Sequence, residues 1–317
     1  MNLSANPNAR GKSLPAYERR FLYPRYWGLW LAIGVMRLAA LLPYAGRVVL
    51  GRILGGGLFF IMRRRRRIAR VNLTLCFAEM DEAQRESLLR AHFKSLGIGL
   101  LEMGAAWWAP DHRLEGLAKI TGLEHLRAAL DQGRGAILMS AHFTSLEMGL
   151  RLMSRVQYGY AVYRPQNNPL LDVLIQRGRL GLPGEMISRD DVRGLLAALR
   201  ANHPVWYPPD QDYGRRHSVF AEFFGQPAAT INTTARFAKM SGAPVLPFYY
   251  HRLPGFRGYE LVVHPPLENF PSHDPLVDAR AQNAELETAV RRSPDQYLWV
   301  HRRFKTRPEG EADVYSG

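Results

Sequence analysis

The sequence predicts an α/β fold, a mixed sheet of about seven strands flanked by helices, preceded by an N-terminal apolar helical membrane anchor. Three observations carry this expectation. Beyond Gly133, short apolar runs of strand length alternate with segments of helical length, the pattern of a sheet covered on both faces. The chain has 317 residues, 47% of them hydrophobic, enough to bury a core in one large domain with an appendage. The stretch from Trp27 to Met62 is apolar and glycine-rich.

Taken in order, residues 1–26 read as a polar, poorly ordered tail, and residues 27–62 as the anchor. Arg37, Arg47 and Arg52 break every charge-free run well short of the roughly 18 residues of a clean transmembrane helix. Basic residues flank the segment on both sides, with Arg10, Lys12, Arg19, Arg20 and Arg25 before it and Arg63 to Arg67 plus Arg70 after it. The positive-inside rule therefore sets no orientation. Two readings stay open: an interfacial or tilted anchor whose arginines meet anionic head groups, and a buried hydrophobic hairpin followed by a solvated arginine run. The five-arginine run marks the boundary with a catalytic domain over 63–317.

Asp81–Trp108 repeats apolar residues at helical spacing and carries acidic residues in its first turn, where the helix dipole favours them. The expected strands are Gly135–Ala141, Gly159–Tyr163, Glu185–Ser188, Pro204–Tyr207, Val219–Phe224, Val245–Tyr250 and Tyr259–His264. Helices are expected near Ser145–Arg155, Leu170–Arg179, Val192–Ala201, Thr233–Met240 and Ala279–Arg292. Ligands of such sheets gather at the carboxyl ends of the strands.

Lysine and arginine outnumber aspartate and glutamate by 42 to 28, a formal charge of +14 that points to anionic partners. The single cysteine, Cys76, excludes an internal disulfide and a cysteine-based zinc cluster, and fits a reducing compartment.

The chemistry-bearing residues follow strand ends. After GAILMSA come His142 and, five positions on, Glu147 in the first turn of a helix. On one continuous helix the two would stand about 140° apart, so a pair requires the histidine to precede the helix. A neutral imidazole suits proton removal from an attacking hydroxyl, and a carboxylate on its other nitrogen would fix the tautomer. Glu147 is the expected partner. Thr144 and Glu147 also spell a capping box, the structural alternative. Arg164 follows the second strand, Arg179 closes the next helix, and Asp210 follows the fourth strand. Guanidinium groups there suit phosphate, carboxylate or a developing oxyanion, with Asp210 orienting an arginine or the acceptor. Surface ion pairs and a turn are the alternatives.

The motifs SAHFTSLE, VYRPQNNPLLD, GRLGLPGEMISRDDVRGLLAALR, VWYPPDQDYG, SGAPVLPF and DQYLWVHRRFKTRPEG together resemble the bacterial lipid A late acyltransferases. The resemblance runs from about Leu22 to Glu309. It implies a fold like that of glycerol-3-phosphate acyltransferases, and an inner-membrane enzyme with its catalytic domain on the cytoplasmic side. It implies transfer of an acyl chain of the laurate or myristate class from acyl carrier protein to a hydroxyl of a Kdo-bearing lipid A precursor. No cofactor, metal or nucleotide is implied. By motif, His142 and Glu147 are the catalytic pair and Arg179 and Asp210 further polar site residues; Arg164 is added from its strand-end position alone. Anionic inner-membrane lipid would meet the arginine run, and acidic carrier protein the remaining positive charge.

Two rivals differ in class. An acyl-enzyme route would use Ser140 or Cys76, but Ser140 lacks a Gly-x-Ser-x-Gly elbow and Cys76 has no neighbouring histidine. A non-catalytic basic protein that binds a membrane surface or nucleic acid would account for the charge; no nucleic-acid motif accompanies it and the basic run adjoins an apolar segment, so membrane is the better partner. A further alternative keeps the enzyme and changes the acceptor to another phospho- or glycolipid.

Overall fold

A computed structural model describes residues 16–179 and 184–316. The expected disordered tail thus lies mostly outside the described residues, as does part of the glycine-rich run after Arg179. The apolar segment forms two helices, α1 (Trp27–Ala39) and α2 (Tyr44–Ile61), parted at Pro43. The arginine run opens α3 (Arg63–Cys76), where Arg65 and Arg67 donate to the carbonyls of Val300 and Tyr315, and Arg66 to that of Phe59. It ties the N-terminal helices to the chain's end.

α4 (Glu82–Trp108) is the spine. Asp81 accepts from the Gln84 N–H while Gln84 reaches back to the Asp81 N–H, a complete capping box that fixes where the helix begins. α1, α2, α3 and the helix α6 (Leu146–Ser154) all pack on it.

The main sheet contains β1 (Ala118–Thr121), β2 (Ala136–Met139), β3 (Gly159–Tyr163), β4 (Gly184–Ser188), β5 (Pro204–Tyr207), β8 (Val245–Arg252) and β9 (Tyr259–Val263), in the order β1-β9-β8-β2-β5-β3-β4. All pairs are parallel except β8 with β9, so the sheet is mixed. β2 and β5 are buried at every residue, as central parallel strands covered on both faces must be. Around the sheet run α5 (Leu123–Leu130), α7 (Pro169–Arg179), α8 (Val192–Arg200), α9 (Thr233–Ser241) and α10 (Pro275–Arg292).

Among the described residues the main sheet has seven strands, but not the seven expected. Val219–Phe224 corresponds to β6 (Ser218–Phe223), which leaves the sheet to pair antiparallel with β7 (Gln226–Ile231) in a separate hairpin against α10. The seventh place in the sheet is taken by β1, whose AKIT is only partly buried and paired on one side alone, so it lacks an apolar run.

Candidate functional site

β2 and β5 lie side by side and deliver the two central residues. Their pairing extends one step past the strands, Ser140 N–H donating to the Tyr207 carbonyl at 3.0 Å, so both chains leave the sheet together. Pro208 and Pro209 then bar further ladder bonds and turn the chain to Asp210. The Asp210 carboxylate accepts twice from one residue: Oδ2 from the His142 backbone N–H at 3.0 Å and Oδ1 from ring Nδ1 at 2.7 Å. With Nδ1 as donor, Nε2 keeps its lone pair. Burial alone would raise the Asp210 carboxyl's pKa, but the His142 ring and backbone N–H, with His301 nearby, hold it below the usual carboxylate range. The His142 side chain is 24% exposed, against 2% for that of Asp210, so the ring is the part of the pair open to a substrate.

The expected contact between His142 and Glu147 is not formed. α6 begins at Leu146 with Ser145 at its N-cap and no side-chain cap, so the Thr144–Glu147 capping box is absent as well. Thr144 instead donates its backbone N–H to the Gln296 carbonyl at 2.8 Å, and Leu298 N–H donates to the His142 carbonyl at 3.0 Å. The segment after α10 thereby holds the turn carrying His142. Glu147 faces α4 and α7: Arg179 bonds both its oxygens, with Nε at 3.1 Å from Oε2 and a second contact from Nη2 to Oε1, and Trp107 Nε1 donates to Oε2 at 2.9 Å. The sequence reading fails here because the helix turn points Glu147 inward, while His142 lies before that turn. For Arg179, burial would favour the neutral form, but the charge of Glu147 outweighs it and fixes the guanidinium as a cation.

Four of the five expected site residues thus form two pairs, His142–Asp210 and Glu147–Arg179. Arg164 joins neither: it is exposed in the loop after β3, within electrostatic reach of Tyr213. Ser140 is 2% exposed and does not bond His142, and burial pushes the Cys76 thiol far up, away from the thiolate that a nucleophile needs. Among the described residues no three His, Cys, Asp or Glu side chains gather as a metal site.

Sequence reasoning missed the wall between the pairs. Leu138, Trp206, Ala161 and Met186 stand in register across β2, β5, β3 and β4, and so share one face of the sheet. They line an apolar cavity of about 70 Å³ with Leu150 of α6 and Arg179 at its side. Trp206 also sets its ring against His142, centroids 6.3 Å apart and planes at 77°. One tryptophan therefore joins the histidine to the cavity. The run VWYPP marked the strand, but which of its alternating side chains met the site depends on register, and register is a tertiary property.

A family model described as bacterial lipid A biosynthesis acyltransferase matches residues 14–306. The lipid A biosynthesis lauroyltransferase of Escherichia coli K12 is 42% identical over 304 residues, covering 96% of this chain and 99% of that one. The palmitoleoyltransferase of the same strain is 41% identical over 300 residues, with 94% and 98% covered. Its myristoyltransferase is 29% identical over 310 residues, with 95% and 94% covered.

Proposed function

The chain belongs to the bacterial lipid A biosynthesis acyltransferases, and from that premise we propose that it moves a fatty acyl chain of the laurate or myristate class from acyl carrier protein to a hydroxyl of a Kdo-bearing lipid A precursor. His142 acts as general base in a direct transfer, and Asp210, rather than Glu147, is the carboxylate behind it. The observation that carries this reading is the pair of hydrogen bonds from His142 to Asp210, of which the ring bond commits Nδ1 as a donor and leaves Nε2 as a base on the more exposed partner of the pair.

In the reaction, Nε2 takes the hydroxyl proton as the oxygen forms its bond to the thioester carbonyl carbon. The carbon–sulfur bond then breaks, and the imidazolium returns the proton to the departing thiolate. Asp210 stays ionised and stabilises the imidazolium between these two events. The acyl chain enters the cavity under Trp206, and the Glu147–Arg179 pair fixes one side of that cavity. A phosphorylated, Kdo-bearing acceptor and an acidic carrier both suit a chain of net charge +14. On this reading the inner-membrane precursor and the carrier-bound donor are met on the cytoplasmic side, which suits a chain whose one cysteine is buried and free.

The test is radiolabel transfer from lauroyl- or myristoyl-acyl carrier protein to the precursor in detergent, comparing wild type with Asp210→Asn. The asparagine keeps the shape but loses the charge, and turnover is expected to fall by about three to four orders of magnitude. Retention of turnover within tenfold would refute the dyad, and no transfer by wild type from either donor would refute the substrate assignment.

A further inference from the structure

Among the described residues, α1 and α2 each have an apolar face packed inward and another that is exposed. On α2, Val48, Gly51, Gly55 and Phe59 are buried, while Val49, Ile53 and Phe60 are exposed. On α1, Ile33, Met36 and Ala39 are buried, while Leu31, Val35 and Leu38 are exposed. Both sets recur at helical spacing, so each helix shows one apolar stripe inward and one outward.

The inward contact of α2 leaves no space between backbones. A Cβ on Gly51 would strike the Ile98 backbone, one on Gly55 that of Phe93, and one on Gly97 the backbones of Gly51 and Gly55. α4 carries this contact into the site, through Gly99 against the Thr144 backbone and Trp107 on Glu147. α1 shares an apolar cluster with Leu170, Val173 and Leu174 of α7, the helix that ends at Arg179. α2 has the 18 residues and the composition to cross a bilayer. To cross, however, it would have to leave the helix that braces the active site.

The charge of this region is of one sign. Between Glu18 and Glu79 there is no acidic residue, and there are twelve arginines, of which Arg37, Arg52, Arg63 and Arg64 are exposed. We infer that α1 and α2 together form a monotopic docking surface, lying along one leaflet of a bilayer with anionic head groups on the arginines, and that neither helix spans it. This rests on the reading of the acceptor as a bilayer lipid, and it sets the docked helices directly behind Trp107 and Arg179.

The experiment uses full-length chain with Cys76→Ser and a single new cysteine on either side of α2, Ala45→Cys in its first turn or Arg64→Cys in the first turn of α3 beyond its far end. Inverted and right-side-out membrane vesicles from an expressing bacterium are treated with a membrane-impermeant maleimide, and labelling after detergent gives the total. Both positions are expected to label in inverted vesicles and neither in right-side-out ones. Labelling from opposite sides, or of neither position in inverted vesicles, would overturn the inference. In a second arm, purified protein is floated with vesicles of phosphatidylethanolamine and phosphatidylglycerol. Recovery is expected to drop at least tenfold for phosphatidylcholine vesicles and for the Ile53→Ser, Phe60→Ser double variant, while that variant still transfers acyl to detergent-dispersed acceptor. Recovery that ignores both changes would also overturn it. Same-side labelling by a chain that transfers nothing would sink the catalytic reading and leave the docking, whereas opposite-side labelling of an active enzyme would do the reverse.

Discussion

Glu147 is held by three hydrogen bonds, and what it holds in return is the buried cation Arg179. Glutamine at this position keeps one acceptor oxygen but leaves the guanidinium uncompensated, and breaking a buried pair from one side costs about 3–5 kcal/mol. Glu147→Gln should therefore lower the melting temperature and raise KM as the cavity wall loosens, with the pH profile of kcat unmoved. Adding Arg179→Met, which removes the stranded charge, should restore more than half of the lost melting temperature. A Glu147→Gln enzyme with wild-type stability and the kcat defect of Asp210→Asn would put Glu147 in the proton relay and end this account. The two carboxylates also show what a chain can disclose residue by residue. Glu147 stood out because it is five positions from the histidine. The carboxylate that bonds the ring is 68 positions away, brought there because β5 inserts beside β2, and adjacency of strands is not written in local spacing.

At the scale of elements, the row Leu138–Trp206–Ala161–Met186 makes β3 the strand that sets the cavity's size, because Ala161 is its one small member. Ala161→Leu adds three carbons to that face without altering the strand's pairing. Each methylene excluded from an apolar pocket is worth about 1–3 kcal/mol, so preference should shift toward shorter acyl chains. Competition between lauroyl- and myristoyl-acyl carrier protein should show the myristoyl rate falling at least tenfold more than the lauroyl rate. Equal losses from both donors would mean that the chain lies elsewhere. The elements that build this wall were legible where burial and length spoke together: VWY between turns gave β5, and the helices α6, α8 and α9 were expected within a residue or two of where they lie. Those missed had weak signals for physical reasons. β1 is a short edge strand, and β7 begins Gln-Pro and is held by its hairpin and α10 rather than by a sheet on both sides.

At the scale of the whole molecule, three histidines bind stability to pH, His92 and His251 buried and His301 half-buried. Burial pushes His92, His251 and His301 down to about 4, assisted at His251 by Arg292 and His264, and at His301 by His142 against the opposing pull of Asp210. In the unfolded chain each would titrate near the ordinary value of about 6.5. Above that pH both states are neutral at these sites and the full stability is present. As pH falls from 6.5 toward 4, the unfolded chain takes up protons that the folded chain refuses, so stability falls with falling pH, by on the order of 1 kcal/mol per pH unit for each histidine. The depressed Asp210 adds its own loss only below the ordinary carboxylate range. The melting temperature in detergent should accordingly fall steeply between pH 6.5 and 4.5 and change little between 7 and 8. His92 isolates the effect, since its Nδ1 lies 3.0 Å from the Asp295 carbonyl while Nε2 has no hydrogen-bond partner among the described residues. His92→Gln can keep that donor without titrating and should flatten the slope by about a third, one of three equal contributors. A slope unchanged in this variant, or a flat profile in wild type, would show that these histidines are protonated in the fold.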